Sequence, residues 1–303
     1  METLFQWLNT HLQQALAPPI LSISKLKIIP LLEPVIDNES PLLILFPCSL
    51  TPVQAEQLRE TVWTELFADL TPGPRPYAVS IQSESLSNTP KKLAVFDMDS
   101  TLINEEVIDE LARELGLYEQ VAQITDEAMQ GTLDFKSSLK KRCRLLAGLS
   151  KDQALGIIQH LHVSPGAEAL LTFFRSQSAH TAVVSGGFEF ILKHFQKQLF
   201  LDQVYGHSLE TMRHPHTDEI HFTGHVEDPI IDANYKQKLV AQLKVNYSCS
   251  LDETVVIGDG ANDIKMMTEA GTSISFCGKP KLASMVNTLI FNRNLLWVKA
   301  LIH

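Results

Sequence analysis

An apolar run, Leu93-Ala94-Val95-Phe96, ends abruptly in Asp97-Met98-Asp99-Ser100-Thr101. A strand that stops on two carboxylates delivers both to one edge of a sheet, and the turn beyond it releases them from strict alternation. One such carboxylate can attack phosphorus while the other carries a proton to or from the leaving oxygen. An oxygen-rich cluster also suits Mg²⁺. Taken alone, an Asp-x-Asp pair is equally ordinary turn chemistry. A calcium loop is excluded, because its sixth position needs Gly for the turn and holds Leu102 here. A second apolar run, Val255-Val256-Ile257, ends in Gly258-Asp259-Gly260-Ala261-Asn262-Asp263. Its glycines let the backbone approach an ion closely, and Asp259 stands where a metal ligand would.

Two weaker signals accompany these. Val183-Val184-Ser185-Gly186-Gly187-Phe188 reads as a strand running through small residues into a helix. The Ser185 hydroxyl and the amides of Gly186 and Gly187 could hold phosphoryl oxygens at that helix start, although Ser-Gly-Gly is also a common turn. Asp232-Ala233-Asn234-Tyr235-Lys236 opens another helix, and a helical lysine is by default solvated.

The elements that must position these residues follow from periodicity. Strands are expected at Leu93–Phe96, Thr181–Ser185, Thr254–Ile257, Ser273–Phe276 and Thr288–Phe291, with helices over 105–115, 166–178, 188–198, 233–244 and 262–270. Such alternation predicts an α/β fold, a parallel sheet covered on both faces. The stretch 119–160 is helical only, with Met129, Leu133, Phe135, Leu139, Leu145 and Leu146 as its apolar face. Inserted after the first strand and helix, it is expected to lie over the carboxyl edge of the sheet, where ligands bind in open α/β folds. Residues 1–88 are proline-rich and compositionally distinct. Strands at 41–46 and 77–81 around a helix from Val53 to Leu70 predict a small N-terminal α+β unit, joined through the polar segment Ser83–Pro90.

The 303 residues carry a net charge of -10, which argues against a nucleic-acid binder and requires a local positive site for any anionic substrate. Four cysteines lie far apart without a CxxC pair, as in a reduced protein. The first residues have no basic region of a secretory signal, and no apolar run approaches the ~20 residues of a membrane span. A soluble cytoplasmic protein is the expectation, with no membrane partner. Oligomeric state is left open, a homodimer included. The histidines at 214, 216, 221 and 225 suggest either a zinc site or a polar surface hairpin, the hairpin being favoured.

In order and content, the four motifs resemble those of the haloacid dehalogenase superfamily. The resemblance implies a Rossmann-like parallel sheet with a helical cap inserted at about 105–160 of a phosphatase domain spanning 89–303. It places Asp97 as nucleophile, Asp99 as the acid that protonates an alkoxide, Ser185 and Lys236 on the transferring phosphoryl group, and Asp97, Asp99 and Asp259 on Mg²⁺. Asp263 would orient Lys236 or a metal-bound water. Dehalogenases need no acid at the Asp99 position, since halide leaves without a proton.

A finer resemblance, to the phosphoserine phosphatase family, covers about Lys92 to Leu296. It is carried by Phe96–Glu110, Thr125–Gly131, Asp134–Leu139, Ser185–Phe188 and Gly258–Asp263. It implies O-phospho-L-serine as substrate, hydrolysed through an aspartyl phosphate in the last step of serine biosynthesis. Glu106 would meet the substrate ammonium and Arg142 its carboxylate. Gly186, Asn262 and Lys236 would also bind substrate, under a lid of Met129 and Phe135. Rival readings are a relative acting on another small phosphomonoester, or a non-catalytic amino-acid-binding regulator.

Overall fold

A computed structural model describes residues 27–30, 42–45, 53, 56, 59–60, 78–129 and 132–302. In chain order the strands are β1 (Lys27–Pro30), β2 (Leu42–Leu45), β3 (Ala78–Ser80), β4 (Leu93–Phe96), β5 (His180–Phe188), β6 (Gln203–His207), β7 (Leu209–Arg213), β8 (Ile220–Val226), β9 (Thr254–Gly258), β10 (Thr272–Phe276) and β11 (Thr288–Ile290). The helices that matter here are α1 (Val107–Glu114), α2 (Tyr118–Met129), α3 (Phe135–Arg144), α4 (Lys151–Gly156), α5 (Ala167–Ser176), α6 (Glu189–Leu199) and α7 (Ala233–Asn246).

Seven strands form one sheet in the order β3-β11-β10-β9-β4-β5-β6. Every neighbouring pair is parallel except β11 with β3. After edge strand β3 the chain crosses to the middle of the sheet at β4, builds outward through β5 and β6, and returns to build the other half from β9. The reversal lies between β4 and β9, where side loops diverge and leave a crevice at the carboxyl ends.

β4 is buried along its whole length because helices cover both faces. Ala94 and Phe96 join the cluster that holds Leu170, Leu171 and Phe174 of α5. Leu93 and Val95 join Leu239, Val240 and Leu243 of α7. Each such large side chain contributes roughly 1.5–3 kcal/mol by leaving water.

Between β4 and β5, helices α1 to α4 form the expected cap. The chain crosses to and from it through adjacent segments: Ile103 bridges Val163, Asn104 N donates to His162 O at 2.9 Å, and Ser164 N donates to Leu102 O at 2.8 Å. α3 starts at Asp134, whose carboxylate accepts Ser137 N at 2.9 Å. α4 opens with a reciprocal Ser150–Gln153 cap.

Several expectations change. The strand near 77–81 forms at β3 but belongs to the main sheet, where it covers the otherwise open edge of β11. Most of the N-terminal unit lies outside the described residues; of the helix expected from Val53 to Leu70 only residues 53, 56, 59 and 60 are described, all helical, and β1 pairs antiparallel with β2. β6 was not expected, since its edge position leaves it without a strong apolar alternation. The helix expected over 262–270 is a short turn, Ala261–Asp263, followed by helix Ile264–Met267. β7 and β8 make a hairpin across Thr211–His225 that packs on the cap: Gly148 N donates to Phe222 O at 2.9 Å, and His221 Nδ1 to Gly148 O at 2.8 Å. No helix among the described residues is long and apolar enough to cross a membrane.

Phe174 stands edge-on to Phe96, with ring centroids 6.2 Å apart, directly beneath the motif that carries Asp97. Phe174→Ala should lower the unfolding free energy by about 3–5 kcal/mol in a urea titration. A loss below about 1 kcal/mol would show that this face is not a continuous core.

Candidate active site

β4 ends at Asp97, whose amide donates to Ile257 O of β9 at 2.9 Å, so both motif strands are locked at the same height. Asp97 Oδ1 accepts Met98 N at 2.8 Å, turning the carboxylate back over the strand end. The turn that follows passes Ser100 in the left-handed region, at φ 56°, and closes with Ile103 N donating to Met98 O at 3.1 Å. Asp99 is thereby folded toward the same cavity as Asp97.

Lys236 comes from the first turn of α7, whose N-cap Asp232 accepts Tyr235 N at 2.8 Å. Its side chain is 1% exposed, and Nζ lies 2.9 Å from Asp97 Oδ1 and 2.8 Å from Asp263 Oδ1. Burial opposes the lysine's charge, but Asp263 and Asp97 outweigh it and raise its pKa. Asp263 Oδ2 accepts the amides of Asp259 at 3.2 Å and Gly260 at 3.1 Å. A Cβ on Gly258 would land on that oxygen, so the first glycine of the motif is required for Asp263 to turn inward.

A cavity of about 160 Å³ is lined by Asp97, Asp99, Glu106, Arg142, Ser185 and Gly186, among others, and by Asp259 and Asn262 on the far side. Glu106 caps α1 and accepts Ser100 Oγ at 3.1 Å. Arg142 projects from α3, and its Nε is buried without a partner. Burial lowers the guanidinium's pKa, against the opposing pull of nearby Asp109, Glu106 and Asp99. Phe135, at the start of α3, lies over Gly186, where an added Cβ would meet its ring at 3.6 Å. Met129 ends α2, and its side chain lies outside the described residues.

Acidity dominates this cavity. Asp259 is pushed up to about 7 by burial, then by Asp97, Asp263 and Glu106, with Lys279 opposing. Asp99 is held well above the usual carboxylate range by burial, then by Glu106 and Asp97. Its Oδ1 is buried without a partner. Among the described residues, the one set of metal-ligating side chains that converges is Asp97, Asp259 and Asp263, whose oxygens lie within 4.8 Å of one another. Asp263 is already engaged by Lys236 and two amides, so Asp97 and Asp259 are the donors left for an ion. This all-oxygen, under-compensated set fits a hard divalent cation. The histidines of 214–225 contribute no such group; His214 instead packs its ring near those of His216 and His221.

Sequence reasoning missed Lys279, which also lines the cavity. Its amide donates to Asp259 O at 2.9 Å, which ties the loop after β10 to the Asp259 motif. The signal was Gly278-Lys279-Pro280 directly after a sheet strand, the same edge that carries the other site residues.

Lys236→Met would leave two buried carboxylates without their shared cation. The metal-free variant should lose about 3–5 kcal/mol of unfolding free energy at pH 7. With their pKa values raised in the folded variant, the acids are destabilising above their ordinary range and harmless once protonated. The deficit should therefore shrink as pH falls toward about 4, and a deficit independent of pH would contradict the ion-pair role.

A family model for haloacid dehalogenase-like hydrolases matches residues 91–271. The chain is 41% identical over 208 residues to a Schizosaccharomyces pombe protein named "Probable phosphoserine phosphatase", covering 69% of this chain and 68% of that one. It is 38% identical over 205 residues to the phosphoserine phosphatase of Methanocaldococcus jannaschii, covering 68% of this chain and 94% of the relative. A solved structure described as a substrate-bound phosphoserine phosphatase complex superposes with a TM-score of 0.65 at 36% identity, over 71% of this chain and 100% of that one. With its motif acids, its buried lysine and its cap all on one strand-end crevice, the chain belongs to the haloacid dehalogenase-like hydrolase family.

Proposed function

We propose that this protein hydrolyses O-phospho-L-serine to L-serine and phosphate through a phospho-aspartate at Asp97. The observation that carries the reading is one small cavity presenting a carboxylate, Glu106, and a half-buried guanidinium, Arg142, whose Nε is buried without a partner, beside the Asp97–Lys236 pair. A zwitterionic amino acid needs one fixed anion and one fixed cation, and guanidinium grips carboxylate through two parallel N–H bonds. The relatives' names point to the same substrate. At about 160 Å³ the cavity is smaller than the ~300–1,000 Å³ usual for drug-sized ligands, which suits a compact ester.

In the proposed cycle a carboxylate oxygen of Asp97 bonds to phosphorus as the bond to the serine oxygen breaks. Asp99, kept protonated by burial and by Glu106 and Asp97, gives its proton to that leaving oxygen. Asp99, now a carboxylate, then removes a proton from the water that attacks phosphorus and frees Asp97. Lys236, the Ser185 hydroxyl and the Gly186 amide hold the phosphoryl oxygens, with Asn262 beside them. Phe135, which lines the cavity, closes the site against water. Asp97, Asp259 and the Asp99 carbonyl would hold Mg²⁺, which when bound would supply charge neutralisation for the phosphoryl group.

Phosphate release from phosphoserine, measured beside a panel of sugar and nucleotide phosphates with and without Mg²⁺, tests the reading. Phosphoserine should be turned over best, chelation should stop it, and Asp97→Asn should abolish it. Equal rates across the panel would sink the substrate assignment. Asp99→Asn should lower kcat by about 10²- to 10⁴-fold, the usual worth of a positioned general acid. Arg142→Met should act mainly on KM for phosphoserine, leaving hydrolysis of an ester without a carboxylate largely untouched.

A further inference from the structure

β5 does not run straight into the helix that follows it. Its pairing with β6 is regular from Ala182–Gln203 to Val184–Tyr205 and resumes only at Phe188–His207. Ser185, Gly186 and Gly187 therefore bulge from the ladder, and their peptide groups need other partners. Gly187 N–H finds Ser185 Oγ at 2.8 Å. The Gly186 carbonyl belongs to that same peptide and points the opposite way, where it accepts His207 Nδ1–H at 2.8 Å. His207 is 1% exposed, and its Nε2 accepts Ile231 N–H at 2.7 Å.

These two backbone partners settle the state of the ring. An amide N–H only donates, so Nε2 carries no proton; a carbonyl only accepts, so Nδ1 carries one. The imidazole is neutral. Burial lowers its pKa, the bond to Gly186 opposes that, and the facing cations Lys236 and Arg142 lower it further. The ring is also packed against Phe135, with centroids 6.5 Å apart. Gly206, just before it, lets β6 approach the bulge: a Cβ there would sit 3.1 Å from Gly187 O and 3.0 Å from Glu189 N.

We propose that His207 is a positioning residue for the phosphoryl-binding loop, holding the Gly186–Gly187 peptide as a neutral Nδ1–H imidazole. With that plane fixed, Gly187 N–H occupies one lone pair of Ser185 Oγ, and the hydroxyl hydrogen is left to donate into the cavity. The consequence for turnover rests on the proposed phosphatase reaction; the orientation of the loop does not.

Wild-type protein, His207→Leu and His207→Asn separate the alternatives. Asn places an amide N–H where Nδ1 stands, whereas Leu fills space and offers nothing. In histidine-labelled wild type, long-range ¹⁵N–¹H spectra should show His207 as the Nδ1–H tautomer from pH 6 to 8. His207→Leu should weaken binding of inorganic phosphate, titrated calorimetrically with Mg²⁺ present, and lower kcat on phosphoserine, each by about 10- to 100-fold. His207→Asn should recover most of both losses. An Nε2–H or charged ring, a folded Leu variant with wild-type phosphate affinity, or an Asn variant no better than Leu would each overturn the proposal. Failure of wild type to turn over phosphoserine would count against the proposed substrate instead, because phosphate affinity and the tautomer are read without it.

Discussion

One buried lysine governs the arrangement of this molecule's working edge. Lys236 Nζ lies between Asp97 of the first strand motif and Asp263 of the last, with almost no exposure to water. A lone ammonium in that position would be expelled, and either carboxylate alone would protonate. Together they hold β4, β9 and α7 to a common point. In the same triad Asp97 sets Oδ1 against the lysine while its residue lines the cavity.

Around this fixed point the protein concentrates negative charge beyond what the lysine offsets. Asp99, Asp259 and Glu106 all line the cavity, and each has its pKa raised, first by burial and then by neighbouring acids, Asp97 acting on all three and Glu106 on Asp99 and Asp259. Such crowding is unfavourable for the resting fold. It makes an all-oxygen set of the kind that suits a hard divalent cation, and it holds the Asp99 carboxyl above the usual carboxylate range. The cations that line the cavity come from other parts of the chain: Arg142 from the cap and Lys279 from the loop after β10. Cap and sheet thus supply different parts of one cavity wall, and the paired crossing at Ile103 and Val163 ties them together.

Much of the fold was legible because parallel strands buried on both faces announce themselves as apolar runs, and β4, β9 and β10 formed where expected. Edge strands gave weaker signals. β6 has one side open and draws its conformation from β5 rather than from its own pattern. β3 was legible as a strand, but its partner was not, because pairing with β11 joins residues about two hundred positions apart. The bulge at Ser185–Gly187 was visible as small residues, yet nothing local predicted that a histidine would satisfy Gly186.

By itself the sequence determined which chemistry is available: strand ends bearing Asp97, Asp99 and Asp259, a Ser-Gly-Gly turn, and a cap placed between β4 and β5. Local propensity and residue type suffice for that, since they act over a few neighbouring positions. Only the tertiary structure decided that Lys236 is buried rather than solvated, that Arg142 leaves a basic surface run to face Glu106 across a cavity, and that His207 is a neutral ring behind the phosphoryl loop. Each of those outcomes depends on partners supplied from distant segments, whose desolvation and hydrogen bonding exist only once the sheet has brought them together.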